Sequence, residues 1–284
     1  MALSYRFGTV GSPMSTPKKP GGSVGAIQRI NELGLNALEL GWVQAVRVSE
    51  TTCSEIKRTA IDNKVHVSVH APYFINLNAN SDEWPKSRKR LMDSALYGNL
   101  AGATDIIFHP GSYFGQPASD VVKFSIERLN GCVEELIQLG NPVILRPETM
   151  GKSAMLGSFE DTLEMAKTVP QVLPCLDFAH LHARTGNGGM NTYDEWCHLL
   201  EQYGTALGED YLMKIHIHLS GIEYSAKGER NHLPLQESDF NLKDLFRALI
   251  KFHTKGRILC ESPILEEDAL YMQRIWQEIS GEEL

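Results

Sequence analysis

Six short apolar runs in this chain of 284 residues end on, or lead at once into, a histidine or a carboxylate. VHVSV leads into His70, DIIF into His109, VILRP into Glu148, and VLPCL into Asp177, with His180 three residues further on. IHIH carries His216 and His218, and GRILC leads into Glu261. Imidazole nitrogens and carboxylate oxygens are the ligand set of Zn2+, Mn2+ and Fe2+. Singly, each residue has a plainer reading. An acid after a strand is often a helix cap, as Asp239 before NLKDLF is expected to be, and a buried histidine is often a carboxylate's hydrogen-bond partner. Six such coincidences are improbable, because buried charge without a partner or a metal is costly. No cysteine falls in the set, which argues against a Cys-rich structural zinc site. One metal is satisfied by three or four protein groups. At least seven converge here, and the segment GERNHLPL adds Glu229 and His232. That suffices for two or three ions with Glu148 bridging a pair, and paired metals activate water and hold the reacting oxygens of phosphoryl transfer. His216 is read as a core or supporting residue one layer deeper than His218, and His182 as facing a loop.

The elements that must position these residues alternate along the chain. Strand patterns fall at 5–10, 36–42, 65–71, 105–111, 143–149, 172–180, 213–221 and 256–262, with amphipathic helical patterns between and after them, several ending in Gly. Alternation of this kind implies right-handed parallel crossovers. Eight units in fewer than 300 residues fit an α/β fold of one (β/α)8 TIM barrel spanning 1–284 better than an open doubly wound sheet. No GxGxxG follows the first strand, which further weakens a dinucleotide-binding alternative. In such barrels the active site lies at the C-terminal rim of the strands, where the ligand candidates fall.

Composition narrows the class. The net charge of −8 leaves no footprint for non-specific nucleic-acid binding, although bound divalent metals would reverse the sign locally. Five scattered cysteines without a CxxC read as reduced thiols of a cytoplasmic protein. No apolar run reaches the ~18–20 residues of a membrane span, and no signal-peptide pattern opens the chain, so neither export nor a membrane partner is expected. A monomer is expected.

The segments HAPYFINL, FHPGSYFG, PETMGKSAMLG, CLDFAH, HIHLSG and CES, in this order between about residues 36 and 262, resemble the endonuclease IV family of metal-dependent apurinic/apyrimidinic endonucleases. HPGS and the Asp-x-x-His of LDFAH are the most specific of them. The resemblance implies three metal ions in the barrel mouth, usually Zn2+, with Mn2+ an alternative. It implies base-excision repair of damaged double-stranded DNA, in which a metal-bound hydroxide hydrolyses the phosphodiester 5′ to an abasic site. By the same resemblance His70 and His109 bind a first metal, and Glu148 bridges it to a second held by Asp177, His218 and Glu261. His180, with Glu229 and His232, holds the third. Glu148 and Glu261 orient the nucleophile, and Tyr73 and Phe74 enter the duplex at the lesion.

Two departures from the family pattern stand out. The segment after the seventh strand reads Glu229-Arg230-Asn231-His232 where the family has Asp-Arg-His, one residue out of step. The segment GWVQAVRVSE, with Trp42, Gln44 and Arg47, does not match the family's second DNA-penetrating loop. Lys18, Lys19 and Arg88 to Arg90 are equally readable as phosphate contacts or as solvated charge. The main rival is a xylose-isomerase-like sugar isomerase or epimerase with one or two divalent metals, which would leave His70, His109, His180 and His232 superfluous. A binding protein that had lost catalysis should also have lost a carboxylate, yet Glu148, Asp177 and Glu261 are all present.

Overall fold

The computed structural model describes residues 4–282. Eight parallel strands form one sheet: β1 (Tyr5–Val10), β2 (Ala37–Gly41), β3 (His66–His70), β4 (Asp105–Phe108), β5 (Ile144–Pro147), β6 (Cys175–Asp177), β7 (Ile215–Leu219) and β10 (Gly256–Cys260). Their order is β5-β4-β3-β2-β1-β10-β7-β6, and parallel bridges Leu145–Val172 and Glu148–Cys175 bring the two edges together. The fold is the expected (β/α)8 barrel. Its outer ring is α1 (Gly22–Glu32), α2 (Glu50–Asp62), α3 (Trp84–Leu100), α4 (Ala118–Gln138), α5 (Phe159–Thr168), α7 (Tyr193–Leu207), α8 (Leu242–Lys251) and α9 (Glu266–Ser280).

Alternation along the strands sorts the side chains, because successive residues of a strand face opposite sides of the sheet. In β2 and β3, Leu38, Leu40, Val67 and Val69 join the apolar core beneath the helices, while Glu39, Ser68 and His70 turn inward. Ile217 and Ile258 join the same core, while His216, His218 and Arg257 are the polar residues between them. The interior is thus polar at several levels. Arg146, Arg257 and Asp105 pair near the N-terminal ends of the strands, Glu39 with Ser68 and His216 lies midway, and the ligand candidates lie above.

Three local features differ from the sequence reading. The sixth strand is only Cys175–Asp177, because Asp177 caps α6 (Phe178–Arg184) by accepting the His180 backbone N–H at 2.7 Å. His180 therefore projects from the first turn of a helix, not from a strand end. After β7 the chain forms an antiparallel hairpin, β8 (Gly221–Ser225) and β9 (Gly228–Leu233), that the strand patterns did not foretell. Asp239 is not the cap of α8 either. Asn241 takes that role through the Asp244 N–H, and Asp239 instead accepts from Tyr224 Oη at 2.7 Å and faces His182 Nε2 at 3.0 Å.

A candidate metal centre at the C-terminal rim

The strand ends bring the predicted residues together in three overlapping groups, each compact enough for one ion: His70, His109 and Glu148; Glu148, Asp177, His218 and Glu261; Asp177, His180 and His232. Glu148 belongs to the first two groups and Asp177 to the last two. Glu148 Oε2 lies 3.3 Å from His70 Nε2 and 3.4 Å from His109 Nε2, while Oε1 lies 3.7 Å from His218 Nδ1. His218 Nδ1 is 3.3 Å from Glu261 Oε1. Glu229 stands at the edge of the third group, 3.6 Å from His180 Nε2.

The backbone fixes which imidazole nitrogen faces inward. A carbonyl can only accept, so Nδ1 of His70 donates to Ala71, Nδ1 of His180 to Thr149 and Nδ1 of His232 to Glu261. In each neutral ring the Nε2 lone pair is then left pointing into the cluster. His180 Nε2 and His232 Nε2 meet at 3.3 Å. Two lone pairs at that separation repel unless a proton or a cation lies between them. Glu148 Oε1, Asp177 Oδ2 and His218 Nδ1 are buried without hydrogen-bond partners, and all three belong to the central group. Unpartnered buried acceptors of this kind are rare because each carries an uncompensated desolvation cost. The donor set fits divalent ions.

Electrostatics agree. Burial and the neighbouring Glu261 and Glu148 push Asp177 up to about 7, against the pull of His180. Burial opposes the charge of Glu148 too, but His109, His180 and His218 outweigh it and hold the carboxyl well below its usual range. His180 and His218 are buried, which disfavours charge, yet the surrounding acids raise both well above an ordinary histidine. Without a metal, the cluster must take up protons to balance its carboxylates.

The out-of-step segment after β7 has a structural answer. Asn231 pairs with Glu223 and Glu229 with Tyr224, so Arg230 is an extra residue, a bulge in β9. Residues three apart on a regular strand face opposite ways. The bulge restores the phase, and Glu229 and His232 line one cavity of about 310 Å³ with His70, His109, His180 and Glu261. Gly151 lets the hairpin close on the rim: its carbonyl accepts the Glu229 N–H at 2.8 Å, and a Cβ there would fall 2.6 Å from that of Glu229.

Tyr73, half exposed, stacks on the His109 ring at 5.0 Å and meets His70 edge-on at 5.2 Å. Its N–H bonds the Val43 carbonyl, which ties the rim to the 42–49 loop that carries Trp42, Gln44 and Arg47. Phe74 is exposed and lies under Arg90. Three residues that could have contacted phosphate are otherwise engaged: Arg88 pairs with Glu135, Lys89 with Asp93, and Arg90 donates to the Phe74 carbonyl. His182 faces the loop after α6, as expected, and is fully buried there between Asp239 and the Gly189 carbonyl.

Sequence reasoning missed three residues. Glu39, fully buried on β2, places Oε1 3.0 Å from His218 Nε2 and Oε2 3.0 Å from His216 Nε2, and it accepts from Ser68 Oγ at 2.8 Å. A carboxylate in the middle of the apolar run ALELG was its visible signal. Cys175, set aside with the other thiols, lies within ligand reach of His216 and His218 one level below the rim. Phe114 is a third exposed aromatic of the rim, held at φ +51°, in a conformation that bulky residues seldom adopt. A cavity of about 440 Å³ beside the metal groups is lined by Tyr73, Phe74 and Phe114.

A parallel barrel with imidazole and carboxylate groups converging at its C-terminal mouth is the architecture of a metal-dependent TIM-barrel enzyme. The chain belongs to the xylose isomerase-like TIM barrel family, whose profile matches residues 27–278. An uncharacterized protein of Methanocaldococcus jannaschii is 37% identical over 277 residues, covering 96% of this chain and 97% of its own. A probable endonuclease 4 of Staphylococcus carnosus is 29% identical over 174 residues, 58% of this chain and 56% of that protein. Among solved structures, endonuclease IV from Thermus thermophilus superposes with a TM-score of 0.72 at 20% identity, over 98% of this chain and all of that one. A D-tagatose 3-epimerase-like protein reaches the same TM-score at 18% identity, over 97% and 98% of the two chains. No described helix is long and apolar enough to cross a membrane.

Proposed function

We propose that this chain is a divalent-metal-dependent phosphodiesterase that cuts damaged double-stranded DNA 5′ to abasic sites, in base-excision repair. The observation that carries the reading is the overlap of three ligand groups through Glu148 and Asp177. A sugar isomerase or epimerase would employ the Glu148–Asp177–His218–Glu261 group and leave the outer two without a task. Histidine and carboxylate donors suit two to three Zn2+ ions, with Mn2+ an alternative. Such ions would supply water activated near neutral pH and positive charge to receive a phosphate, which offsets the acidity of the chain.

The protein's own groups then have definite tasks. Glu148 spans two groups with its two oxygens and fixes their spacing. Glu261, slightly exposed within the central group, would with Glu148 orient the attacking water and accept its proton. Tyr73 covers His70 and His109 and limits solvent there. With Phe74 it would fill the gap left by a missing base.

The test is incubation of a duplex carrying one abasic analogue with the metal-replete protein, with and without chelator. The expected product is a nick 5′ to the lesion whose 3′-hydroxyl a polymerase can extend, lost on chelation and restored by Zn2+ or Mn2+. An intact duplex, together with epimerisation of a ketose by the same preparation, would assign the chain to the sugar enzymes instead.

A further inference from the structure

The opposite end of the barrel holds a larger cavity, of about 640 Å³, which the metal chemistry does not use. Its walls are the segments entering β5, β6, β7 and β10 and the C-terminal ends of α5 and α7. Five cationic side chains line it, Arg6, Arg146, Lys167, Lys214 and Arg257, against one carboxylate, Asp105. In a chain of net charge −8 this is a marked local reversal.

The cations differ in how far they are committed. Arg146 is spent: Nε donates to Asp105, Nη1 to the Pro174 carbonyl at 2.9 Å and Nη2 to the Lys214 carbonyl at 2.9 Å. Arg257 reaches the other oxygen of Asp105 at 3.0 Å and Thr104 Oγ1 at 2.8 Å. One carboxylate therefore serves two guanidinium groups. Arg6 is the register partner of Arg257 on the adjacent strand and pairs with no carboxylate among the described residues. Like charges directly opposite on neighbouring strands repel. The surplus is visible in the surroundings: burial and Arg257 lower the Arg6 guanidinium, and burial with Arg6 and Arg257 brings His66 down to about 4.

Lys167 is committed too, to Glu164 at 3.1 Å. We propose that this basal cavity binds a compact phosphate group, gripped by Arg6 and Arg257 with Lys214 at its margin. Adjacent guanidinium forks match phosphate oxygens, and a bound dianion removes the repulsion between them. The site is separate from the metal centre and does not depend on how that centre reacts.

His66, at the start of β3, feels the charge of Arg6 and Arg257 and so reports on this end of the barrel rather than on the metal rim. The experiment follows the His66 ring by NMR against pH, with inorganic phosphate, with a nucleoside monophosphate, and with chloride at matched ionic strength. Phosphate is expected to raise the His66 midpoint saturably, and chloride is not. If the nucleoside monophosphate binds at least about tenfold tighter, by about 1.4 kcal/mol, a phosphorylated metabolite is the ligand rather than the free ion. Arg6→Gln, at an exposed position, should weaken the effect by about tenfold or more, the loss of one charge-assisted contact. Lys214→Gln is an independent check at the margin and should weaken it in the same direction. An identical His66 titration in phosphate and chloride, or full phosphate binding in both variants, would overturn the proposal.

Discussion

Replacing Glu39 with Gln probes the metal centre from beneath. The carboxylate contacts Nε2 of both His216 and His218 at 3.0 Å and accepts from Ser68 at 2.8 Å. It favours a proton on each Nε2 and leaves Nδ1 of His218 unprotonated toward Glu148 and Glu261. Glutamine keeps the shape but has a single acceptor oxygen, so it can serve only one of the two rings. Where its NH2 faces His218, the ring shifts its proton to Nδ1 and the ligand nitrogen is lost. Outer partners of metal-bound histidines are worth about 10–100-fold in affinity, or about 1.4–2.7 kcal/mol. Stability of the metal-free protein should fall as well. Glu39 is fully buried, yet His218 and His216 outweigh the desolvation cost and hold its carboxyl well below the usual range, so its charge stabilises the metal-free fold. Competition against a chromophoric chelator should therefore show weakened binding of one ion, with an altered Co2+ absorption spectrum. Thermal melting of the metal-free protein should move downward, because His216 and His218 lose their counter-charge. Unchanged affinity and spectrum would refute the positioning role, and a lowered melting temperature with an unaltered Co2+ spectrum would make Glu39 a structural residue only.

Asp177→Ala should remove more than one metal ion per chain, because Asp177 belongs to two groups; elemental analysis showing no loss would contradict the shared-ligand geometry. Tyr73→Ala with Phe74→Ala should weaken binding to an abasic duplex by about 1–3 kcal/mol at fixed salt and affect intact duplex much less, while equal losses would reduce the pair to loop packing. Asp105→Asn leaves Arg146 buried without its counter-charge and should cost about 3–5 kcal/mol of stability near neutral pH in denaturant melts. Burial opposes the charge of Asp105, but Arg146 and Arg257 hold its carboxyl far below the usual range. Its contribution is therefore present above about pH 4, the unfolded value, and is lost as pH falls toward the folded one. The gap between wild type and variant should narrow on acidification, and a constant gap would contradict the linkage.

What the sequence determined was order and periodicity. Eight apolar runs alternating with amphipathic helices leave few topologies open once crossovers must be right-handed, and the parallel barrel follows. Because side chains alternate along a strand, His70, Asp177 and His218 could be assigned to one rim from position alone. Gly34, Gly102 and Gly140, all at positive φ just past helices, mark ends that were legible as well. Tertiary structure decided what depends on approach between distant segments. Whether Glu229 and His232 could share a face rested on a bulge at Arg230, and a bulge is defined by pairing with a second strand. Glu39 went unassigned because its role depends on β7, far along the chain, setting the imidazoles of His216 and His218 against it. The cationic basal cavity was likewise invisible, because Arg6 and Arg257 become neighbours only when the first and last barrel strands pair.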